Sequence, residues 1–455
     1  MTYPEILGTL MHTPDMGEIE VLENALIAVG DDGVIAGVTS PEDESYGQAV
    51  AQARGRGGLL ELSPHQYLLP GLVDLHIHAP QWPQLGKALH LPLYDWLQTC
   101  TFPLEARYAD LAFADRVYGS LVPSLLANGT TTAVYFATAH LPATQHLARH
   151  CLEHGQRALV GKVVMDDPAE CPDYYRDASA EQALHDTVHL IDFVRGLPGN
   201  ERDLVRPVVT PRFIPSCTDE ALEGLGAIAR DHHCHVQTHC SESDWEHDFV
   251  LKRHGKSDTE SLDGFGLLTR HTVLAHANFL GDGDMDLIGR RRAGIAHCPL
   301  SNFYFSNAVF PLRAALDKGL HVGLGTDISG GPSASMLESC RQAVAASRAL
   351  EDGVDPSLEP TKRGRPGSRI DFRHAFWLAT AGGGQALDLK IGKFAQGYQF
   401  DAIVIDADVP DSGLLVWDDL DNAEDVFQKI VYTAGRGNIR KVWTDGVLRL
   451  DKDAA

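Results

Sequence analysis

At 455 residues the chain exceeds the roughly 250 at which one hydrophobic core stops growing, which excludes a binding peptide and predicts a large domain with a satellite. Hydrophobic residues make up 44% and charged residues 22%, the proportions of a globular protein. Lys and Arg number 38 against 62 Asp and Glu, and the net charge of −24 argues against nucleic acid or an anionic membrane surface as a partner and favours a neutral or cationic small substrate.

In chain order, Ile19 to Leu22, Leu26 to Val29 and Val34 to Val38 read as short strands, with a turn at Gly30 to Gly33. From Val73 to Asp327, apolar runs alternate with helical patterns: Val73 to Ala79, Ala133 to Thr138, Leu159 to Met165, Arg206 to Phe213, His235 to His239, Val273 to His276, Ile295 to Cys298 and Val322 to Asp327. Eight such units over about 250 residues fit a closed (β/α)8 barrel better than an open doubly wound sheet. Glu351 to Arg369 is polar and rich in Pro and Gly and reads as a mobile connection, and Arg373 to Leu387 reads as a helix. Asp401 to Asp406, Ile430 to Thr433 and Val442 to Arg449 are strand-like. The expected fold is therefore α/β: a TIM-like barrel over 69–387, with a small β-sandwich domain built from both termini, 1–68 and 388–455.

Eight cysteines form no Cys-x-x-Cys pair and are too sparse for a disulfide framework. The first residues lack a basic region leading into an apolar run, and no run approaches 18 apolar residues. A cytoplasmic location with no membrane span is the expectation. Gly382 to Gly384 are followed by no Lys-Ser/Thr pair, and Gly323-Leu324-Gly325 opens no dinucleotide fingerprint, so neither a phosphate loop nor a nicotinamide site is expected.

The chemistry concentrates at strand ends. In Pro70-Gly71-Leu72-Val73-Asp74-Leu75-His76-Ile77-His78, strand alternation sends His76 and His78 to one side and Leu75 and Ile77 to the other. His239, His276 and Asp327 close the fifth, sixth and eighth runs, at the barrel face where such enzymes keep their sites. His76, His78, His239 and Asp327 form a nitrogen and oxygen donor set suited to one Zn2+ or Fe2+, with a position left for water. Hydrolysis is the implied chemistry: Asp327 can take the proton of water, Glu242 can carry a proton to the substrate, and His276 can polarise the attacked centre. The bland alternatives are strand histidines satisfied by packing and an exposed loop carboxylate at Glu242.

The segments Pro70 to His78, Leu91-Pro92-Leu93-Tyr94-Asp95-Trp96-Leu97, Asn128 to Thr132, His239 to Glu242, Ala296-His297-Cys298-Pro299 and Gly325-Thr326-Asp327 resemble the amidohydrolase superfamily, in its deaminase and chlorohydrolase branch. Thr101-Phe102-Pro103-Leu104-Glu105, Tyr135 to His140, Val209-Thr210-Pro211-Arg212-Phe213 and Gly325 to Gly331 are most similar to the guanine deaminase family within it. The resemblance spans about Leu68 to Phe400. It implies a mononuclear zinc site that hydrolyses guanine to xanthine and ammonia, with His76, His78, His239 and Asp327 as ligands. It also implies substrate contacts by Gln81, Arg212 and Phe213, catalytic roles for Glu242 and His276, and a homodimer. A guanidinium at Arg212 suits the paired O6 and N7 acceptors of guanine, whereas an ion pair for Arg212 and core packing for Phe213 are the structural alternatives.

Two residues depart from the family pattern. Pro80 stands where a small polar residue is expected, and His90 precedes Leu91 where an acid is usual. Both lie in the expected substrate loop. The alternative reactants are therefore another purine, a pterin or an azaheterocycle such as 8-oxoguanine, an adenosine derivative, cytosine or a chlorotriazine. A catalytically inactive scaffold barrel is the reading from another class.

Overall fold

The computed structural model describes residues 4–306 and 308–454. The chain opens with β1 (Glu5–His12), β2 (Glu20–Val29), β3 (Ile35–Thr39), β4 (Leu59–Glu61) and β5 (Gln66–Pro70). It then builds β6 (Leu72–His78), β7 (Thr130–Phe136), β8 (Arg157–Gly161), β9 (Val163–Val164), β10 (Val205–Pro211), β11 (His235–Cys240), β12 (Thr272–His276), β13 (Gly294–His297) and β14 (His321–Leu324), and ends with β15 (Ala402–Asp406), β16 (Ile439–Thr444) and β17 (Val447–Asp451).

Two sheets result. The middle strands are parallel in the order β6-β7-β8-β10-β11-β12-β13-β14, with β9 prolonging the third position beside β10. The ring closes where Asp327 N donates to His76 O at 2.8 Å and His78 N donates to Ile328 O at 2.9 Å. Every residue of β7, β8, β11, β12 and β13 is buried, because helices cover the outer face and side chains fill the inner one. The intervening helices start where polar side chains take up the orphan amides: Asp110, Ser179, Thr218 and Ser243 each accept from the first turn.

The other sheet runs β17-β16-β15-β5-β1-β2-β3, with β4 also beside β1, so both chain ends share it. It encloses its own small core, with Ile6, Leu10, Ile27, Phe400, Val404 and Trp443 fully or almost fully buried. Only Gly71 separates β5 from β6, and a side chain there would run into Thr131. Across the junction Arg157 donates to Asp401 through Nε at 3.1 Å and Nη2 at 3.2 Å, and Asp445 N donates to the same carboxylate at 2.7 Å.

Several local expectations are corrected. β1, absent from the expected strands, escapes the period-2 pattern because six of its eight residues are buried, on both faces. Ile430 to Thr433 is the end of a helix, Ala423–Thr433, not a strand. Its buried Val426, Phe427, Ile430 and Val431 recur at helical spacing, and Asn422 and Asp425 form a capping box at its start. Val442 to Arg449 is a hairpin rather than one strand, turning at Asp445 and Gly446, both with positive φ. Arg373 to Leu387 divides into Phe372–Leu378 and Ala381–Ala386. The stretch from Glu351 to Arg369 holds a short helix, Pro360–Arg363, and folds back on the helix before it. There Arg365 N donates to Leu350 O at 2.8 Å and Ser368 N to the Glu351 carboxylate at 2.6 Å.

His235, at the start of β11, donates from Nε2 to Leu387 O at 2.9 Å, and burial lowers its pKa to about 4. A depressed folded-state pKa means the unfolded chain binds the extra proton, so this contribution is complete above about pH 6.5 and is lost as pH falls toward 4. Unfolding titrations of the native protein and His235→Gln at pH 7 and 5 are expected to show a pH dependence flatter in the variant by up to about 1.4 kcal/mol per pH unit. Parallel profiles contradict that assignment.

Candidate active site

The site is assembled where barrel strands give way to the loops above them. His76 and His78 end β6, His239 lies near the end of β11, His276 closes β12 and Asp327 follows β14. Strict alternation along β6 does not hold. Leu75 packs with Val73, Val134, Leu159 and Val208 inside the barrel, whereas Ile77 joins the outer core. The register with β7 slips between Asp74 and Ile77, and this irregularity re-aims the strand end so that both imidazoles face the mouth. Just past the neighbouring β14, Gly325 permits close approach, since a Cβ there would lie 2.9 Å from that of His76.

Beneath the imidazoles, Asp74 accepts from Thr326 N at 3.0 Å, from His76 N at 3.2 Å and from the Thr326 hydroxyl. It ties the first strand to the eighth. Burial pushes its carboxyl up to about 7 despite those bonds. His276 and Asp327 hold positive φ values of 69° and 48°, conformations rare for non-glycine residues and concentrated at functional sites.

The side chains converge. His78 Nε2 lies 3.1 Å from His239 Nε2, and Asp327 Oδ1 lies 3.2 Å from His76 Nε2 and 3.5 Å from His78 Nε2. His276 Nε2 is 3.7 Å from Glu242 Oε2 and 3.9 Å from Asp327 Oδ2. The tautomers follow from the outer partners. His239 Nδ1 donates to Arg212 O at 2.6 Å, which leaves a lone pair on Nε2 aimed at the centre of the cluster. Burial, and then the neighbouring imidazoles, lower the pKa of His78 and His239; burial does the same for His76, so all three are neutral donors. His76 Nε2 has no hydrogen-bond partner among the described residues. Neutral imidazoles and one carboxylate, with an orphaned nitrogen at their centre, fit a borderline divalent ion.

Glu242 places a carboxyl beside the cluster, where it could carry a proton. Burial, reinforced by the Asp327 charge, raises its pKa well above the ordinary carboxylate range, with Arg212 opposing. Its amide donates to Glu246 Oε2 at 2.7 Å, which fixes the turn after β11.

A cavity opens over this floor, with Gln81, Arg212, Glu242 and Asp327 as polar lining and Trp96, Phe213 and Phe305 among its apolar walls. Arg212 follows β10, and its Nη1 and Nη2 donate to Glu105 at 2.7 and 3.3 Å. Gln81 donates to the same carboxylate at 2.9 Å and accepts from Ser329 N at 3.1 Å. Phe213 sits edge-on to His239, with ring centroids 6.2 Å apart. Every site residue anticipated from the sequence thus meets at one place, and Arg212 combines a position on the cavity wall with an ion pair.

The sequence reading overlooked Glu105, Asp74 and Asn302, the last of which accepts from His276 Nδ1 at 2.9 Å. It also left Trp96 and Leu97 without a role, although both stand in a segment it singled out. Of the two departures, Pro80 belongs to the turn that carries Gln81 and accepts from Tyr108 Oη at 2.8 Å, while His90 is exposed and away from the cavity lining.

Comparison with known proteins bears on this geometry. The sequence profile of the amidohydrolase family matches residues 67–449. A guanine deaminase from Dictyostelium discoideum is 36% identical over 452 residues, covering 96% of each chain. The crystal structure of guanine deaminase from C. acetobutylicum with bound guanine in the active site superimposes with a TM-score of 0.87 at 30% identity, over 98% of this chain and 99% of that one. An adenosine deaminase from Xanthomonas campestris with bound zinc gives a TM-score of 0.80 at 25% identity, over 98% and 93%. Profile, sequence and fold agree across the barrel and the sheet beside it, and the chain belongs to the amidohydrolase family.

Proposed function

We propose that this chain hydrolyses guanine to xanthine and ammonia, with His76, His78, His239 and Asp327 holding one divalent ion, zinc by preference and iron as the alternative. The observation that carries the reading is the shared cavity. Its floor is a cluster of imidazoles and a carboxylate, its side holds a carboxyl whose pKa burial raises, and its wall holds a guanidinium and an amide. The guanine-bound relative of the same fold and the zinc-bound neighbour support the choice of substrate and metal.

A divalent ion in this cluster supplies a Lewis acid that makes water acidic enough to attack at neutral pH. The protein's own groups do the remaining work. Arg212 and Gln81 hold the O6 and N7 edge of the base, and Glu105 keeps both donors aimed. Phe213 and Trp96 confine the flat ring and exclude water. Asp327 accepts the proton of the attacking water as it adds to C2. Glu242 donates its proton to the adjacent ring nitrogen, takes up the hydroxyl proton of the tetrahedral carbon and passes it to the amino group, which leaves as ammonia, and the proton held by Asp327 then restores Glu242. The overall balance is guanine plus water giving xanthine plus ammonia.

The chain's eight cysteines are all unpaired, which suits a reducing, cytoplasmic compartment, and no helix among the described residues is long and apolar enough to cross a membrane. A homodimer completes the proposal. Ammonia release measured with guanine, cytosine, adenosine and a pterin tests the substrate assignment: turnover of guanine well above the others is expected, and no turnover of guanine overturns it.

A further inference from the structure

The side-chain amides of Asn278 and Asn302 lie between Glu242 and His276, in the loop after β12 and the turn after β13. Both are buried, at 7% and 2% exposure. Asn278 Nδ2 is 2.9 Å from the main-chain O of Glu242 and 2.9 Å from Ser306 Oγ. Asn302 Nδ2 is 2.8 Å from Asn278 Oδ1, and Asn302 Oδ1 is 2.9 Å from His276 Nδ1.

Each link dictates the next. A main-chain carbonyl only accepts, so Asn278 must turn its NH2 group toward Glu242, which leaves its Oδ1 facing Asn302. Asn302 must then present its own NH2 group to Asn278 and its Oδ1 to the imidazole. His276 Nδ1 therefore carries a hydrogen, and in the neutral ring it is the proton-free Nε2 that faces Glu242 Oε2 at 3.7 Å and Asp327 Oδ2 at 3.9 Å. The chain of bonds runs from the backbone of Glu242 to His276 Nδ1, and the far side of that ring faces the Glu242 carboxyl without bonding to it. Reversing either amide would set oxygen against oxygen in a buried place where unmet polar groups are costly.

We propose that Asn278 and Asn302 are positioning residues: their hydrogen-bond polarity, set by the Glu242 carbonyl, holds His276 in the tautomer that accepts at Nε2. The catalytic benefit rests on the deaminase reading given above, whereas the tautomer itself does not. His276 then serves as an acceptor for the attacking water rather than a donor to the ring. The second hydrogen of Asn278 Nδ2 also anchors Ser306, next to the cavity-wall residue Phe305, so wall and proton carrier share one support.

The test uses zinc-loaded protein labelled with 15N-histidine, with His276→Gln to assign the ring signals. The native protein is expected to show His276 as the Nδ1–H tautomer, and Asn302→Ala to lose that preference. Turnover of guanine by Asn302→Ala is expected to fall about 10- to 100-fold in kcat with KM changed less than about threefold. In a Glu242→Gln background the same change should cost less than about threefold, because the two residues act through one arrangement. An unchanged tautomer in Asn302→Ala, or an equal penalty in both backgrounds, overturns the proposal. If Asn302→Ala does not fold, Asn278→Asp, which keeps the shape and removes the NH2 donor, is expected to give the same loss, and native-like rates from it overturn the proposal. Native protein with the Nδ1–H tautomer but no ammonia from guanine refutes the deaminase reading and leaves the relay standing. Turnover with the opposite tautomer does the reverse.

Discussion

Glu242→Gln is expected to lower guanine turnover about 10^2- to 10^4-fold while the protein stays folded and keeps its metal. The reason lies in what the substitution preserves. Gln keeps the volume and polarity of the side chain in a cavity where Glu242 is 6% exposed, but it has no proton to transfer at any pH of interest. Burial and the Asp327 charge already raise the native carboxyl's pKa well above the ordinary carboxylate range, so burial favours the neutral form that the amide imitates. The loss should fall on kcat and leave KM nearly unchanged, the signature of an interaction made in the transition state. Steady-state rates of xanthine formation check it, and turnover within threefold of native removes Glu242 from proton transfer.

Glu105→Ala is expected to destabilise the protein by about 3 to 5 kcal/mol and to abolish productive binding of guanine. Glu105 is fully buried and Arg212 is 2% exposed, so truncating the carboxylate strands an unpaired guanidinium inside the protein. The same change frees Gln81, whose amide donates to Glu105 at 2.9 Å. The double variant Glu105→Leu with Arg212→Met removes both charges and should recover most of the stability without recovering turnover. Thermal unfolding and guanine kinetics on the three proteins separate the two roles. A Glu105→Ala protein as stable as native contradicts the buried pair, and an active double variant contradicts the assignment of Arg212 to the substrate.

What was legible in the sequence, and what was not, follows from the range of the interactions. The eight strand runs stand out because parallel strands covered on both faces are apolar throughout, and polar residues at their ends, such as His76, His78, His239 and Asp327, break that pattern conspicuously. Glu105 looks like any helical carboxylate until Arg212, 107 positions away, is placed against it. Asp74 acts on Thr326, 252 positions away, and nothing local marks it as more than a polar residue in a strand. The slip in β6 that separates Leu75 from Ile77 depends on pairing with β7, which one strand's pattern does not contain. Ile430 to Thr433 misled for a different reason: four apolar or β-branched residues in a row suit a strand, and only the longer spacing back to Val426 shows the helix.

The proposed reaction depends on one cation drawn into the cluster of three imidazoles and Asp327. Its most direct test is to strip the protein with a chelator, add zinc back in steps, and follow bound metal and ammonia release from guanine on the same samples. Saturation at one ion per chain is predicted, with activity rising in proportion up to that point. Full activity in metal-free protein, or one tightly bound ion with no release of ammonia, would contradict it.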